Sequence, residues 1–178
     1  VALTDSDFQF VYHDSVTISV NGEETVYEAE ALRGRNEIIS IPEQEGGILI
    51  PSIHRQCGTP SYGGRLEIRP CEEGRLAINI LPLEKYLEAV VPSEMPSTYE
   101  KEALKAQAVC ARTYAWKQMQ GSRLHEYGAD VDDSVSYQVY QNVAPQESTT
   151  KAVRETEGMI LSQNGQPVEA YYFSTSAG

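Results

Sequence analysis

The hydrophobic positions between residues 81 and 116 fall at helical spacing in two runs. The first run is Leu83, Tyr86, Leu87 and Val90, the i, i+3, i+4, i+7 pattern of one buried helix face. We predict that this helix opens at Pro82, because the missing proline N–H costs nothing at the first helical position. We also predict that it stops before Pro92, since proline pushes the preceding residue toward extended backbone.

The second run predicts a helix with a small buried face and its own start signal. Ser97 is followed three residues later by Glu100, the spacing of a capping box. The buried face is Leu104, Ala108, Ala111 and Ala115. Small side chains allow close approach of neighbouring backbones, so we expect this helix to be packed deep in the domain.

Glu94 lies between the two predicted helices and is the candidate catalytic residue. Pro92 and Pro96 restrict the backbone on both sides of it, which predicts a stiff loop with little entropy to lose on substrate binding. The positive end of the second helix would favour the ionised carboxylate, so a general acid here requires burial to raise its pKa. From spacing alone, a solvated or capping glutamate is the more usual explanation of this position.

Alternation of apolar and polar residues predicts short strands on both sides of the helices. The predicted strands are residues 16–20, 25–27, 38–41, 47–50, 66–69, 76–81, 159–161 and 168–173. Asn21 with Gly22, and Asn164 with Gly165, predict two-residue hairpin turns. Ser148 is predicted to cap a short helix that ends near Gly158. The class is α+β, with a strand-rich N-terminal lobe in residues 1–70 and a helical centre with a mixed sheet in residues 71–178.

Charge and hydropathy exclude several classes of partner. The net charge is −12 and the pI is about 4.6. No basic cluster is present to meet phosphates, which argues against nucleic acid and against docking on an anionic membrane surface. No apolar run reaches the twenty or so residues that span a bilayer, and no signal peptide opens the sequence.

The three cysteines do not form a metal-binding pattern. His54, Cys57 and Cys71 lack a fourth partner, so a metal site is not expected there. A disulfide between Cys57 and Cys71 is possible in an exported protein. Cys110 is explained as a small buried residue of the second helix.

The helical segment resembles the stage II sporulation protein D (SpoIID) family, which shares its domain with the amidase enhancer LytB. Three motifs carry the resemblance: Leu-Pro-Leu-Glu-x-Tyr-Leu from Leu81, Val-Pro-x-Glu-Met-Pro from Val91, and Glu-Ala-Leu-Lys-Ala-Gln-Ala-Val-x-Ala-Arg-Thr-Tyr-Ala from Glu102. Tyr-Gln-Val-Tyr from Tyr137, and Tyr-Phe-Ser-x-Ser-Ala-Gly ending at Gly178, add to it. The resemblance is specific from about residue 76 onward and only general before it.

This resemblance implies a peptidoglycan lytic transglycosylase with Glu94 as the essential acid, and a groove that binds glycan. Such an enzyme cuts peptide-stripped glycan strands between N-acetylmuramic acid and N-acetylglucosamine and leaves 1,6-anhydro ends. One carboxylate suffices, because the muramic C6 hydroxyl is an attached nucleophile, whereas most glycosidases need two. An alternative is a non-catalytic amidase-enhancer module that binds glycan and stimulates a cell-wall amidase. A third is a structural cell-wall domain with a relic loop.

Four further residues are expected to bind substrate by the same resemblance. Gln138 and Tyr140 would supply a hydrogen bond and a stacking face for a sugar ring. Ser174 and Ser176 occupy the Ser-x-Ser positions of the family and would line the groove. Alternatives remain open, since residues 135–139 alternate like an ordinary half-buried strand, and serines at a strand end often make turns.

The segment before Gln138 departs from relatives that carry Cys and His ligands for zinc. Residues 130–137 contain neither type, so no zinc site and no cofactor are expected. Asp132 and Asp133 could hold a hard cation, or one of them could be the second carboxylate of a true hydrolase. Arg112 would hold the charge of Glu94 if it faced the loop, which opposes a general-acid role, so we expect Arg112 to serve packing.

The resemblance also implies partners and a location. Family members work with a SpoIIP-like amidase-endopeptidase and a SpoIIM-like membrane protein, on the wall or between forespore and mother cell. They are held by one N-terminal membrane helix, so we expect this chain to be an extracytoplasmic ectodomain without its anchor. The sequence stops at Gly178 inside the last motif, which predicts a catalytic domain that is truncated at its C-terminal end.

Overall fold

The computed structural model describes residues 2–3, 15–20, 22–28, 38–51, 53–55, 58–71 and 74–173. Within these ranges the strands are β1 (Ala2–Leu3), β2 (Ser15–Val20), β3 (Glu23–Glu28), β4 (Ile39–Ile41), β5 (Ile48–Leu49), β6 (Ser61–Tyr62), β7 (Arg65–Cys71), β8 (Gly74–Ile80), β9 (Ser162–Gln163) and β10 (Gln166–Pro167). The helices are α1 (Leu83–Glu94), α2 (Lys101–Gly121) and α3 (Glu147–Glu155), with a 3₁₀ helix at Arg123–Tyr127 between α2 and α3. The class is α+β, as predicted, and the described sheets are small and antiparallel rather than mixed.

Two four-stranded sheets precede the helices. Their strand orders are β1-β8-β7-β4 and β3-β2-β5-β6. β7 and β8 pair along their whole length and lie on either side of the predicted lobe boundary at residue 70. In the second sheet Val20 pairs with Glu23, which confirms the predicted two-residue turn. Gly22 in that turn has a φ of 83°, a conformation that glycine adopts without steric cost.

α1 is longer than predicted and passes through Pro92. The Met95 N–H donates to the Val91 carbonyl at 2.9 Å, which closes the last turn, and the helix ends at Glu94. The prediction that Pro92 ends the helix is therefore wrong. In the last turn a proline removes little regular hydrogen bonding, and burial of the apolar face of α1 outweighs that loss. Glu94 is consequently the last residue of a helix rather than a residue of a proline-stiffened loop.

α2 starts later than its capping signal predicted. Residues 97–99 form a turn in which the Tyr99 N–H donates to the Pro96 carbonyl at 3.0 Å, and α2 begins at Lys101. Glu100 is the residue before the helix and makes no side-chain capping bond, so the capping box with Ser97 is wrong. The predicted buried face is confirmed: Leu104, Ala108, Ala111 and Ala115 are all in the core.

α3 differs from prediction at its start, and the strands predicted at 159–161 and 168–173 are wrong, because the paired residues lie closer to the turn, in β9 and β10. Ser148 lies inside α3 and donates to the Ser97 carbonyl at 2.7 Å, so it ties α3 to the α1–α2 connection instead of capping α3. The predicted turn at Asn164 and Gly165 is confirmed by their positive φ angles of 53° and 76°. Only two residues pair on each side of that turn, because the flanking backbone diverges after the bond from Val168 N–H to the Leu161 carbonyl.

One hydrophobic cluster joins both four-stranded sheets to α1, α2 and α3. Residues 133–146, between the 3₁₀ helix and α3, form turns and extended loop. The alternative of a half-buried strand over residues 135–139 is therefore wrong, and Val135 is 74% exposed. This loop packs across the end of α1, and so it places backbone groups beside Glu94.

Across the described residues, no helix is both long and apolar enough to cross a membrane.

Candidate active site

The carboxylate of Glu94 lies half-buried at the end of α1, and the hydrogen bonds that hold it go to one of its two oxygens. Its Oε1 accepts a hydrogen bond from the Val139 N–H at 2.7 Å. The Tyr172 hydroxyl donates to the same oxygen at 3.5 Å. Burial raises the pKa of the Glu94 carboxyl above its usual value, and these two hydrogen bonds lower it by less than burial raises it.

The dipole of α1 also acts on Glu94, an effect that the prediction from the second helix did not include. Because Glu94 is the last residue of α1, it lies at the negative end of that helix, where a carboxylate is disfavoured. Among the described residues, no cation forms an ion pair with it. Both features favour the protonated carboxyl, which is the form that a general acid needs.

Ser93 and Glu94 together fasten the loop of residues 138–141 to the end of α1. The Ser93 hydroxyl donates to the Ala89 carbonyl at 2.7 Å and accepts from the Gln141 N–H at 3.3 Å. With the Glu94–Val139 bond, two consecutive side chains of the helix hold two nearby backbone N–H groups of the loop. The contribution of Ser93 had no signal in the sequence, because its partner is a backbone group 48 residues away.

Gln138 is fully buried and connects the core to the surroundings of Glu94. Its Oε1 accepts from the Tyr86 hydroxyl at 3.1 Å. Its Nε2 donates to the Ala111 carbonyl at 3.1 Å and to the Tyr172 hydroxyl at 2.9 Å. In this arrangement Gln138 acts on Glu94 through Tyr172, and its predicted contact with a sugar would need a different position of the side chain.

Tyr140 is also in the interior, with 1% of its surface exposed. Its ring stacks between Tyr62 and Tyr86, with centroid distances of 6.3 and 5.3 Å. Its hydroxyl donates to Asn79 Oδ1 at 3.0 Å. Both faces of the ring are thus used by the protein, so this geometry does not favour the predicted stacking on a sugar.

Tyr172 is the site residue that sequence reasoning missed. Within the aromatic triplet it is the half-buried member, while Tyr171 and Phe173 are 70% and 71% exposed. Its available signal was the motif that contains it, which the predictions used only for Ser174 and Ser176.

Those two serines lie outside the described residues, and so does Cys57 of the predicted disulfide. The described Cys71 and Cys110 form no disulfide with each other.

The two aspartates considered for catalysis or cation binding are held by protein groups. Asp133 is buried in an ion pair with Arg55. Asp132 Oδ1 accepts from the backbone N–H and the hydroxyl of Ser134, at 2.9 and 2.5 Å. Within the described part of the chain, no group of three or more His, Cys, Asp or Glu residues is arranged to hold a metal ion.

Arg112 serves packing, as predicted, and does not pair with Glu94. Its guanidinium makes two bonds of 2.8 Å to the carboxylate of Glu84, at the opposite end of α1 from Glu94. It also donates to the carbonyls of Val153 and Met159, at 3.1 and 3.2 Å. The charge of Glu94 therefore has no guanidinium partner among the residues that the structure describes.

Comparison with known proteins identifies relatives of the segment that carries this site. The model of the SpoIID family, described as "Stage II sporulation protein", matches residues 72–162, just over half of the chain. The chain is similar to "Stage II sporulation protein D" of Bacillus subtilis, with 41% identity over 116 residues that cover 57% of the chain and 34% of that relative. It is similar to the "Amidase enhancer" of the same organism, with 39% identity over 92 residues that cover 52% and 12%.

An uncharacterised protein of Brachyspira hyodysenteriae is 34% identical over 118 residues, which cover 66% of the chain and 32% of that relative. The chain thus spans about a third of the length of the stage II sporulation protein D relative and less of the amidase enhancer.

Proposed function

Because the chain belongs to the SpoIID family of stage II sporulation proteins, we propose that it is a peptidoglycan lytic transglycosylase. Family membership and the amidase-enhancer relative support a role at the cell wall. The proposed substrate is a glycan strand freed of stem peptides. The proposed cut falls between N-acetylmuramic acid and N-acetylglucosamine, and sporulation is the proposed setting.

The observation that carries this proposal is the environment of Glu94. It is a half-buried carboxyl with a raised pKa, and no described cation pairs with it. Its Oε2 accepts no hydrogen bond from the described residues, and the side chain is only partly buried. A carboxyl that holds its proton more tightly than usual, and whose second oxygen accepts no bond from the described residues, is suited to donate that proton to a leaving oxygen.

The reaction needs only this one group. In the first half, Glu94 donates its proton to the glycosidic oxygen as the bond from that oxygen to muramic C1 breaks. In the second half, the Glu94 carboxylate takes the proton of the muramic C6 hydroxyl as O6 bonds to C1. The nucleophile is part of the same sugar, so its effective concentration is high and no water is consumed.

The protein groups that already bind the side chains of Asp132 and Asp133 support a reaction that uses one carboxylate, rather than hydrolysis. A hydrolase requires a second carboxylate about 5 to 9.5 Å from the first, free to attack or to activate water. Asp133 is buried against Arg55, and Asp132 is bonded to Ser134. Neither is a free base beside Glu94.

A second candidate function is the amidase-enhancer module, favoured by the 39% identical relative of that name. On this account the carboxylate of Glu94 fastens Val139 and shapes the loop, and no bond is cut. The location outside the cytoplasm, and partners such as a SpoIIP-like amidase or a SpoIIM-like membrane protein, are proposals under either function.

Glu94→Gln separates the two functions. Glutamine keeps the side-chain size and an oxygen that can accept from the Val139 N–H, but it cannot deliver a proton. In the full-length protein we expect the variant to lose glycan cleavage by at least about a hundredfold, while it still binds glycan strands in a pull-down and still stimulates a cognate amidase. A wild type that stimulates the amidase but cuts no glycan would contradict the enzyme and favour the enhancer.

A further inference from the structure

The two oxygens of Glu94 have different surroundings. Oε1 is held by the Val139 N–H and approached by the Tyr172 hydroxyl, at 2.7 and 3.5 Å. Oε2 has no hydrogen-bond partner among the described residues. The proton that the proposed reaction moves must therefore be exchanged at Oε2, provided that Oε1 stays occupied.

The orientation of the Gln138 amide is fixed by groups around it. The Ala111 carbonyl can only accept a hydrogen bond, so the amide nitrogen of Gln138 must face it, at 3.1 Å. The amide oxygen then faces the Tyr86 hydroxyl, whose pKa burial raises, so that Tyr86 remains a donor. The second hydrogen of Nε2 is left to point at the Tyr172 oxygen, 2.9 Å away.

This orientation fixes the direction of the Tyr172 hydrogen in turn. Because the Tyr172 oxygen accepts from Gln138, its own hydrogen is directed to another acceptor, and among the described residues that acceptor is the Oε1 of Glu94. Burial raises the pKa of Tyr172, so the hydroxyl keeps this hydrogen at neutral pH. A continuous chain of hydrogen bonds therefore runs from Tyr86 through Gln138 and Tyr172 to Glu94.

We propose that Tyr172 and Gln138 are positioning residues for Glu94. Gln138 orients the Tyr172 hydroxyl, Tyr172 and the Val139 N–H together occupy Oε1, and the catalytic proton is thereby confined to Oε2. The catalytic role of these two residues rests on the proposed function. The chain of hydrogen bonds does not depend on it.

This chain of hydrogen bonds must change the pH at which Glu94 titrates. Within the described part of the chain, the titratable groups that interact with Glu94 are the hydroxyls of Tyr172, from the terminal segment, and Tyr86, on α1, while the loop contributes the Val139 N–H. Donation from Tyr172 favours the carboxylate and lowers the pKa of Glu94. Removing that hydroxyl must therefore raise the titration midpoint of Glu94, and the alkaline limb of activity must move to higher pH.

The test is Tyr172→Phe in the full-length protein labelled with carbon-13 at the glutamate carboxyl. The Glu94 resonance is assigned as the one that is missing in the Glu94→Gln variant. Its titration midpoint is then measured by NMR over a range of pH, without substrate. We expect Tyr172→Phe to raise the midpoint and to lower kcat for glycan cleavage roughly three- to tenfold, with KM nearly unchanged. Tyr171→Phe is the matched control, because Tyr171 is exposed and does not contact Glu94, and it should change neither quantity.

Gln138→Met tests the relay through a double-mutant cycle. It should raise the Glu94 midpoint in the wild-type background and leave it unchanged in the Tyr172→Phe background, because Gln138 acts only through Tyr172. Equal effects in both backgrounds would overturn the role of Gln138. Since Gln138 is buried and its variant is the one at risk of misfolding, Tyr172→Phe decides the role of Tyr172 independently.

The outcomes also separate this inference from the proposed function. A midpoint that Tyr172→Phe leaves unchanged or lowers overturns the positioning role, even if the wild type makes anhydro ends. A midpoint that rises while the wild type cuts no glycan overturns the proposed enzyme and leaves the hydrogen-bond chain in place.

Discussion

Glu94 combines two features that a surface glutamate lacks: partial burial at the negative end of a helix, and hydrogen bonds to only one oxygen. Burial outweighs the bonds from Val139 and Tyr172, so the folded protein binds the Glu94 proton more tightly than the unfolded chain does. The same arrangement that keeps the acid protonated must cost stability once the proton is lost.

This cost predicts that Glu94→Gln stabilises the fold at neutral pH. A group with a raised folded-state pKa contributes stability below its unfolded pKa, and that contribution is lost as pH rises through the folded pKa. The neutral glutamine avoids the loss, so its melting temperature should exceed that of the wild type at pH 7, and the gap should close toward pH 4. Thermal unfolding across this range measures it.

Glu157→Gln is the control for that measurement, because Glu157 is exposed and forms no ion pair with the described residues. It should shift the melting temperature little at any pH. A wild type that is more stable than Glu94→Gln at pH 7 would mean that the hydrogen bond from Val139 to a charged carboxylate outweighs burial.

At the scale of elements, Arg112 joins three parts of the chain. From α2 it reaches Glu84 on α1, the Val153 carbonyl in α3 and the Met159 carbonyl before the terminal hairpin. The guanidinium is almost fully buried, so its loss would remove these bonds from a place that water does not readily reach. The segment that carries Tyr172 is thereby tied to the helix that carries Glu94.

We predict that Arg112→Met lowers the free energy of unfolding by about 3 kcal/mol, because it removes the buried partner of the Glu84 carboxylate and the bonds to two carbonyls. Urea unfolding followed by circular dichroism measures this. Arg154→Met is the matched control, since Arg154 makes an exposed ion pair with Glu88 at 3.3 Å, and such pairs contribute about 1 kcal/mol or less. Equal losses for the two variants would contradict the role assigned to Arg112.

The elements were predictable where a pattern repeats over many residues. The apolar faces of α1 and α2 and the two hairpin turns followed from periodicity and from Asn-Gly pairs. Their ends were not, because Pro92 and Ser97 are single local signals that packing and a competing turn override. Glu94 itself was found from its motif, whereas Ser93 and Tyr172 were missed because their partners lie far away in sequence.

For the whole molecule, the two antiparallel sheets and the helices share one core, and the candidate site lies where α1, the 138–141 loop and the terminal segment meet. Glu94 and Val139 are 45 residues apart in the sequence, and Glu94 and Tyr172 are 78 residues apart. Only the folded chain assembles them, so the chemistry of Glu94 is a property of the fold as well as of its motif.

The most direct measurement is mass spectrometry of the products from peptide-free glycan strands, incubated with the full-length protein and with its Glu94→Gln variant. We predict 1,6-anhydromuramic ends from the wild type and none from the variant, because the internal C6 hydroxyl is the nucleophile and Glu94 moves both protons. Reducing ends would show that water attacks and that a second carboxylate takes part, and anhydro ends from both proteins would show that Glu94 is not the acid. Either result would contradict the account.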